Sequence, residues 1–340
     1  MYVEEVCLTN IRKFNNKKIK LKKGINVIYG NNGSGKTTIL EAINIISVGK
    51  SFKTNTQKHV IREGASQYNI KATTNTQNKI IVQGEGVNKK IKVDNVVVKK
   101  ITNHIGFLPT IYSTPDSILY QGKSNSERQK NINQTNCLLS KKYIQALKQY
   151  NTTLKQRNKA IKLKQNHTIW DEGLIKNAIT IWEERQKNIE DINQEILKIQ
   201  KENKIIKKIE IFIKGVETNP VIAKKELQTK KEEDLKFGRT TYGPHTDTIN
   251  IFINKKSIKN HASQGEKSLC FSVLKKAEAN IIQKKTKKEP IILLDDIFSK
   301  LDKPNTQLIT RLFIKTNQTI ISHTEKIKQK NINNIPVDQD

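Results

Sequence analysis

Gly30-Asn31-Asn32-Gly33-Ser34-Gly35-Lys36-Thr37 constrains this chain more than any other stretch. It reads G-x-x-x-x-G-K-T, the pattern of a phosphate-cradling loop. The flanks fit that reading. Ile25 to Tyr29 is a short apolar run rich in β-branched residues, which predicts a buried strand. Ile39, Leu40, Ile43 and Ile46 recur at helical spacing, which predicts a helix beginning near Ser34. A strand, a Gly-rich turn and a helix in that order aim backbone N–H groups and a helix N-terminus at one spot, which favours a polyanion. On this reading Gly30, Asn31, Asn32, Gly33, Ser34 and Gly35 wrap the phosphates and Lys36 reaches the β/γ-phosphates. The Thr37 hydroxyl ligates Mg²⁺, and Thr38 completes the segment. The competing explanation is a chance Gly/Asn-rich turn.

A second segment is needed to complete such a site. Ile291-Ile292-Leu293-Leu294 is an apolar run ending in Asp295-Asp296. Alone, two adjacent acids describe a solvated strand end. Paired with the loop they read as a Walker B strand: Asp295 serves Mg²⁺ and Asp296 polarises the attacking water. Upstream, Ser263-Gln264-Gly265-Glu266-Lys267 opens a helix, where Ser263 can cap and the N-terminus can bind an anion. In that order the three segments resemble the ATP-binding-cassette class. The resemblance implies that Ser263 and Gly265 of one subunit close over the nucleotide held by the other. It also matches Asp302 to the loop linking the two sites, and His323, in Ser322-His323-Thr324, to the γ-phosphate switch.

Composition narrows the partners. The 340 residues carry a formal net charge of +30, a field that favours a polyanion such as nucleic acid or an anionic membrane surface. Lys, Asn and Ile are abundant throughout, as an AT-rich coding sequence produces, so the charge alone says little. Arginine occurs only at positions 12, 62, 128, 157, 185, 239 and 311. Cys7, Cys137 and Cys270 are scattered and form no C-x-x-C pair, so no disulfide framework or zinc site is suggested and a reducing compartment fits. The N-terminus lacks a signal-peptide pattern and no apolar run approaches a membrane span. The expectation is a soluble, cytoplasmic, nucleoid-associated protein with no membrane partner.

Pattern changes along the chain predict an α/β fold. Residues 1–112 and 236–340 form a discontinuous ATP-binding lobe I, an ABC-type P-loop ATPase head. Residues 113–235 form an inserted, mostly helical lobe II. Within it Ile175, Ile179, Trp182, Ile189, Ile192, Ile196 and Ile199 follow 3- and 4-residue steps. That seam predicts a long helix packed on a neighbour in the same lobe.

From end to end the chain resembles the RecF family of bacterial DNA replication and recombinational repair ATPases. The resemblance is carried by Leu8-Thr9-Asn10-Ile11-Arg12-Lys13-Phe14, Leu40-Glu41-Ala42-Ile43 and Gly49-Lys50-Ser51-Phe52-Lys53-Thr54. Tyr143-Ile144 with Leu147, Gln156-Arg157-Asn158 and Gly243-Pro244-His245 with Asp247 continue it. The run from Leu293 to Asp302 is the most specific, and its double Asp is itself RecF-like. Lys53, Thr246, Thr248, Arg128-Gln129 and Ile132-Asn133 depart from the family pattern. The resemblance implies an ATP-dependent homodimer and slow, DNA-stimulated, Mg²⁺-dependent hydrolysis. It also implies binding to duplex and gapped or single-stranded junctions, and recombinase loading with RecR and RecO-type mediators. A transporter ATPase subunit is the alternative from another class, but its signature carries two consecutive glycines where Glu266 follows Gly265. A chromosome-structuring ATPase would need a far longer insert. A non-hydrolysing, ATP-gated DNA scaffold is the third reading.

Overall fold

The computed structural model describes residues 1–54, 56–114, 124–298, 301 and 303–337. They fall into two compact units, Met1–Gln121 with Ala262–Asp340, and Gly122–His261.

The first unit opens with β1 (Val3–Ile11), β2 (Phe14–Lys20) and β3 (Gly24–Tyr29). A helix, Lys36–Val48, follows. Then come β4 (Gln67–Thr74), β5 (Lys79–Glu85), β6 (Asn88–Val93), β7 (Val96–Val97) and β8 (Thr110–Ser113). The second unit contributes β9 (Ile209–Lys214), β10 (Thr248–Ile253) and β11 (Lys256–Ser257). The chain then returns to the first unit with the helix Gln264–Thr286, β12 (Ile291–Leu294), the helix Lys303–Phe313, β13 (Gln318–His323) and β14 (Ile332–Pro336).

Two sheets build the first unit. An antiparallel one runs β2-β1-β4-β5-β6-β7, and a parallel one runs β14-β3-β13-β12-β8. Inside the parallel sheet β12 reads as a continuous apolar run because both of its faces are covered. All four residues of β12 are fully buried. β4, in contrast, alternates buried with exposed or half-buried positions. The two ends of the sequence are tied by Gln318: its side chain accepts from Val3 N at 3.0 Å and donates to Val3 O at 2.7 Å. A buried amide satisfying both backbone groups is what lets strands 315 residues apart belong to one unit.

In the second unit the helix Ser124–Leu139 gives way to Lys141–Lys162, with Ser140 as N-cap accepting from Tyr143 N at 3.1 Å. The long helix spans Asp171–Glu202, 32 residues, and buries Ile175, Trp182, Ile189, Ile192, Ile196 and Ile199. Its seam is consumed inside the unit, as the 3- and 4-residue spacing predicts. The expected boundary at 235/236 differs from the observed one. Residues 236–261 belong with the second unit because β10 pairs antiparallel with β9 from Thr248↔Lys214 to Ile253↔Ile209. The insert therefore carries a three-stranded sheet as well as helices.

A buried ion-pair network holds this unit. Arg185 donates to Asp247 Oδ2 at 2.5 Å, to Pro244 O at 2.8 Å and to Asn133 Oδ1 at 2.9 Å. Trp182 Nε1 donates to both Asp247 oxygens at 3.0 Å. Burial pushes the Asp247 carboxyl up to about 6 against the pull of Arg185 and Trp182. Arg157 pairs with Asp234 at 2.6 Å and with Asp171 at 2.8 Å. The departures near 128–133 do not break the network: Gln129 donates to His245 O at 3.1 Å and to Asp247 O at 2.6 Å. Arg185→Leu should strand the Asp247 carboxylate and cost about 3–5 kcal/mol. A urea midpoint unchanged from wild type would show that the network contributes nothing net.

Candidate nucleotide site

The helix after the loop starts at Lys36, two residues later than the spacing predicts. Gly35 is its N-cap at φ +101, a left-handed conformation. A Cβ on Gly35 would lie 2.4 Å from Phe14 Cζ, so both backbone angle and space require glycine there. Lys36 Nζ donates to Gly30 O and Asn31 O, each at 2.7 Å, and Lys13 Nζ donates to Gly33 O at 3.1 Å. Two ammonium groups thus bracket the turn formed by Gly30, Asn31, Asn32 and Gly33. Ser34 Oγ is buried with no hydrogen-bond partner.

β12 ends at this turn. Thr37 Oγ1 donates to Asp295 Oδ1 at 2.9 Å, across 258 residues of sequence. Ser322 Oγ donates to the same oxygen at 2.6 Å and accepts from Asp296 N at 2.8 Å. Asp295 is buried, while Asp296 is half-exposed and adopts φ +50. Thr37, Thr38, Lys36, Asp295, Asp296 and Ser322 line a cavity of about 400 Å³, together with Arg12, Lys13 and Lys53. Arg12 is held by a bidentate pair to Glu41, at 2.9 and 3.2 Å. Glu41 is fully buried and also accepts from Ser51 Oγ. Ser51 Oγ in turn accepts from Lys53 N at 2.9 Å and Thr54 N at 3.0 Å. One carboxylate thereby positions both Arg12 and the segment bearing Lys53.

His323 ends β13, where it pairs with Tyr29 just before the loop. Its ring stands edge-on to Phe298 at 5.8 Å, and its buried Nδ1 has no hydrogen-bond partner. Burial holds its pKa below the ordinary imidazole value, and Asp296 and Glu325 oppose that shift. Ser263 caps the helix Gln264–Thr286 in a capping box. Its Oγ accepts from Glu266 N at 3.2 Å, and its N donates to Glu266 Oε2 at 2.7 Å. Ser263 is exposed, and neither it nor Gly265 lines the cavity at Lys36. A Cβ on Gly265 would meet only ordinary contacts at 3.6 Å, so internal packing does not demand glycine there. Asp302 lies outside the described residues.

The donor set fits a nucleotide with a hard cation. Arg12, Lys13, Lys36 and Lys53 supply positive charge for a polyphosphate, and Ser34 Oγ supplies an unused hydroxyl. Thr37 and Asp295 offer a hydroxyl and a carboxylate side by side. Among the described residues no cluster of three His, Cys, Asp or Glu side chains could hold a metal. Mg²⁺ needs no such cage, since one or two protein oxygens and the substrate phosphates suffice. Arg12, Lys13, Lys53 and Ser322 are the cavity residues that motif spacing did not assign to the site.

A parallel sheet ending in this loop and carboxylate pair defines a phosphate-loop ATPase head, and the AAA domain family profile matches residues 5–236. The chain belongs to the RecF family. The DNA replication and repair protein RecF of Thermoanaerobacter sp. (strain X514) is 31% identical across 96% of this chain and 95% of its own length. Its counterpart from Clostridium novyi (strain NT) is 33% identical across 95% and 93%. A solved structure of the recombination mediator protein RecF with ATP, in the RecFOR pathway, superposes with a TM-score of 0.83. It is 28% identical and covers 99% of this chain and 97% of that one. An Smc head domain from Pyrococcus furiosus, at 17% identity and TM-score 0.53, shares the fold. Among the described residues no helix is long and apolar enough to cross a membrane.

Proposed function

We propose that this chain is an ATP-dependent DNA-binding protein of recombinational repair, and that nucleotide drives two copies together head to tail. The observation that carries this is the cavity in which Thr37 and Asp295 meet, 2.9 Å apart, beneath four cationic side chains. Lys36 and the loop hold the β/γ-phosphates, with Arg12, Lys13 and Lys53 around the rim. Thr37 and Asp295 hold Mg²⁺, which when bound neutralises charge on the phosphate oxygens. Asp296 orients and polarises the attacking water. His323, kept neutral by burial, senses the γ-phosphate from the end of β13. Ser263 and Gly265 meet the nucleotide of the second copy, which accounts for a glycine that packing does not require. Asp302 links the two sites. Hydrolysis is slow and resets the clamp, and the ATPase acts at duplex and gapped DNA with RecR and RecO-type mediators in the cytoplasm.

Titration of a labelled gapped duplex at several salt concentrations tests this reading. Each added phosphate contact steepens the log K against log[salt] slope by about 0.9 on duplex DNA. A dimer presents twice the basic surface, so the slope should be larger with ATP than with ADP. Ser263→Arg should leave ATP binding by the single chain intact, prevent the ATP-dependent dimer and erase the difference in slope. Identical slopes in every nucleotide state would mean that the +30 charge is generic lysine bias and that the ATPase serves a protein partner.

A further inference from the structure

The small sheet of the second unit has one buried face and one open face. Ile209, Ile211, Ile249, Ile251 and Ile253 fill the buried face. The antiparallel register sets Phe212 opposite Asn250, Lys214 opposite Thr248, Glu210 opposite Phe252, and Phe252 opposite Ser257. These residues therefore share the other face. Phe212 is 50% exposed there, and its ring meets Phe252 edge to face at 5.6 Å and 83°. Phe212 thus presents half of its surface on this face, with an amide directly across from its ring.

The charges around the pair select among ligands. Lys214 lies on the same face, and Lys255 is exposed at the turn where β10 ends, whereas Lys256, opposite Ile253, belongs to the other face. The one carboxylate on the face, Glu210, is already paired with Lys208 at 2.8 Å. The platform is thus apolar at its centre and cationic at its margin. A peptide adding as a strand would need the outer backbone groups of β9. At Ile211 those groups are taken, because Asn193 donates to Ile211 O and accepts from Ile211 N, both at 2.9 Å.

We infer that this face is a stacking platform for single-stranded nucleic acid: a base stacks on Phe212, whose ring Phe252 braces edge to face, Asn250 meets a base edge, and Lys214 and Lys255 meet the backbone. Every base offers a π-face, so the contact is sequence-tolerant. A duplex keeps its base faces stacked internally and cannot use it. The inference rests on the proposed DNA-binding function and adds a strand-selective site to it.

The test is fluorescence anisotropy on the full chain with labelled oligo-dT, an abasic strand of equal length and a duplex. Wild type should prefer oligo-dT to the abasic strand. Phe212→Ala should bind oligo-dT about five- to a hundredfold more weakly, with abasic and duplex binding unchanged, and Phe212→Trp should retain affinity. Equal binding of oligo-dT by wild type and Phe212→Ala, with duplex binding intact, overturns this inference alone and leaves the DNA-binding reading standing. Failure of the wild-type chain to bind any strand overturns this inference and the DNA-binding reading together. Photocrosslinking of 5-iodouracil oligonucleotides to the wild-type chain removes any dependence on variant folding. A crosslink at Phe212 or Phe252 supports the platform, and crosslinks confined elsewhere overturn it.

Discussion

Lys36→Ala should lose at least tenfold in ATP affinity and, with it, every nucleotide-dependent property of the chain. Two effects add. Removing a charge-assisted contact from a phosphate site costs about 2–5 kcal/mol. The same ammonium also bridges Gly30 O and Asn31 O at 2.7 Å, so its loss leaves the turn less well held. Lys36 is half-exposed and makes no core contact, so the fold should survive. Circular dichroism checks the fold, and equilibrium titration with a fluorescent ATP analogue checks the affinity. Wild-type affinity in a folded Lys36→Ala protein would remove the phosphate loop from the mechanism.

How much of this was legible in the sequence follows the range of the interactions. The loop, the apolar run before it and the run Ile291 to Leu294 are local signals, and each became a strand or turn near its expected bounds. The 32-residue helix was legible for the same reason, since a seam repeats along one element. Arg12, Lys13, Lys53 and Ser322 reach the cavity only through pairing between distant strands and through the Glu41–Ser51 contact. No spacing rule reports those. The three-stranded sheet of the insert was missed as a unit because β9 and β10 lie on either side of two helices, Pro220–Thr229 and Lys231–Phe237. Arginine scarcity has a meaning that composition hid. Arg157 and Arg185 are both buried in ion pairs and Arg12 is clamped by Glu41. The planar guanidinium suits such fixed bidentate roles better than an ammonium does. The outward field is carried mainly by lysine, with Arg62, Arg239 and Arg311 also exposed.

Asp296→Asn should separate binding from turnover. The backbone at residue 296 sits at φ +50, where Asn is tolerated about as well as Asp, so the substitution changes charge and little else. Asp295 keeps both of its hydroxyl donors, Thr37 and Ser322, at 2.9 and 2.6 Å, so the proposed Mg²⁺ oxygens stay in place. The carboxylate proposed to polarise water is gone, and loss of a positioned general base typically costs about 10²–10⁴ in rate. ATP affinity should stay near wild type while hydrolysis falls by that factor. The variant should then accumulate as an ATP-bound dimer, visible by light scattering. A second readout is independent of turnover. Asp296 raises the pKa of His323 against the lowering by burial. Neutralising residue 296 should shift the His323 titration to lower pH, and an imidazole NMR titration measures that. If the His323 titration moves as expected while hydrolysis continues at the wild-type rate, the mutation has altered the site as intended and the water is activated by another group. That outcome would sink the role of Asp296 while leaving the nucleotide cavity intact.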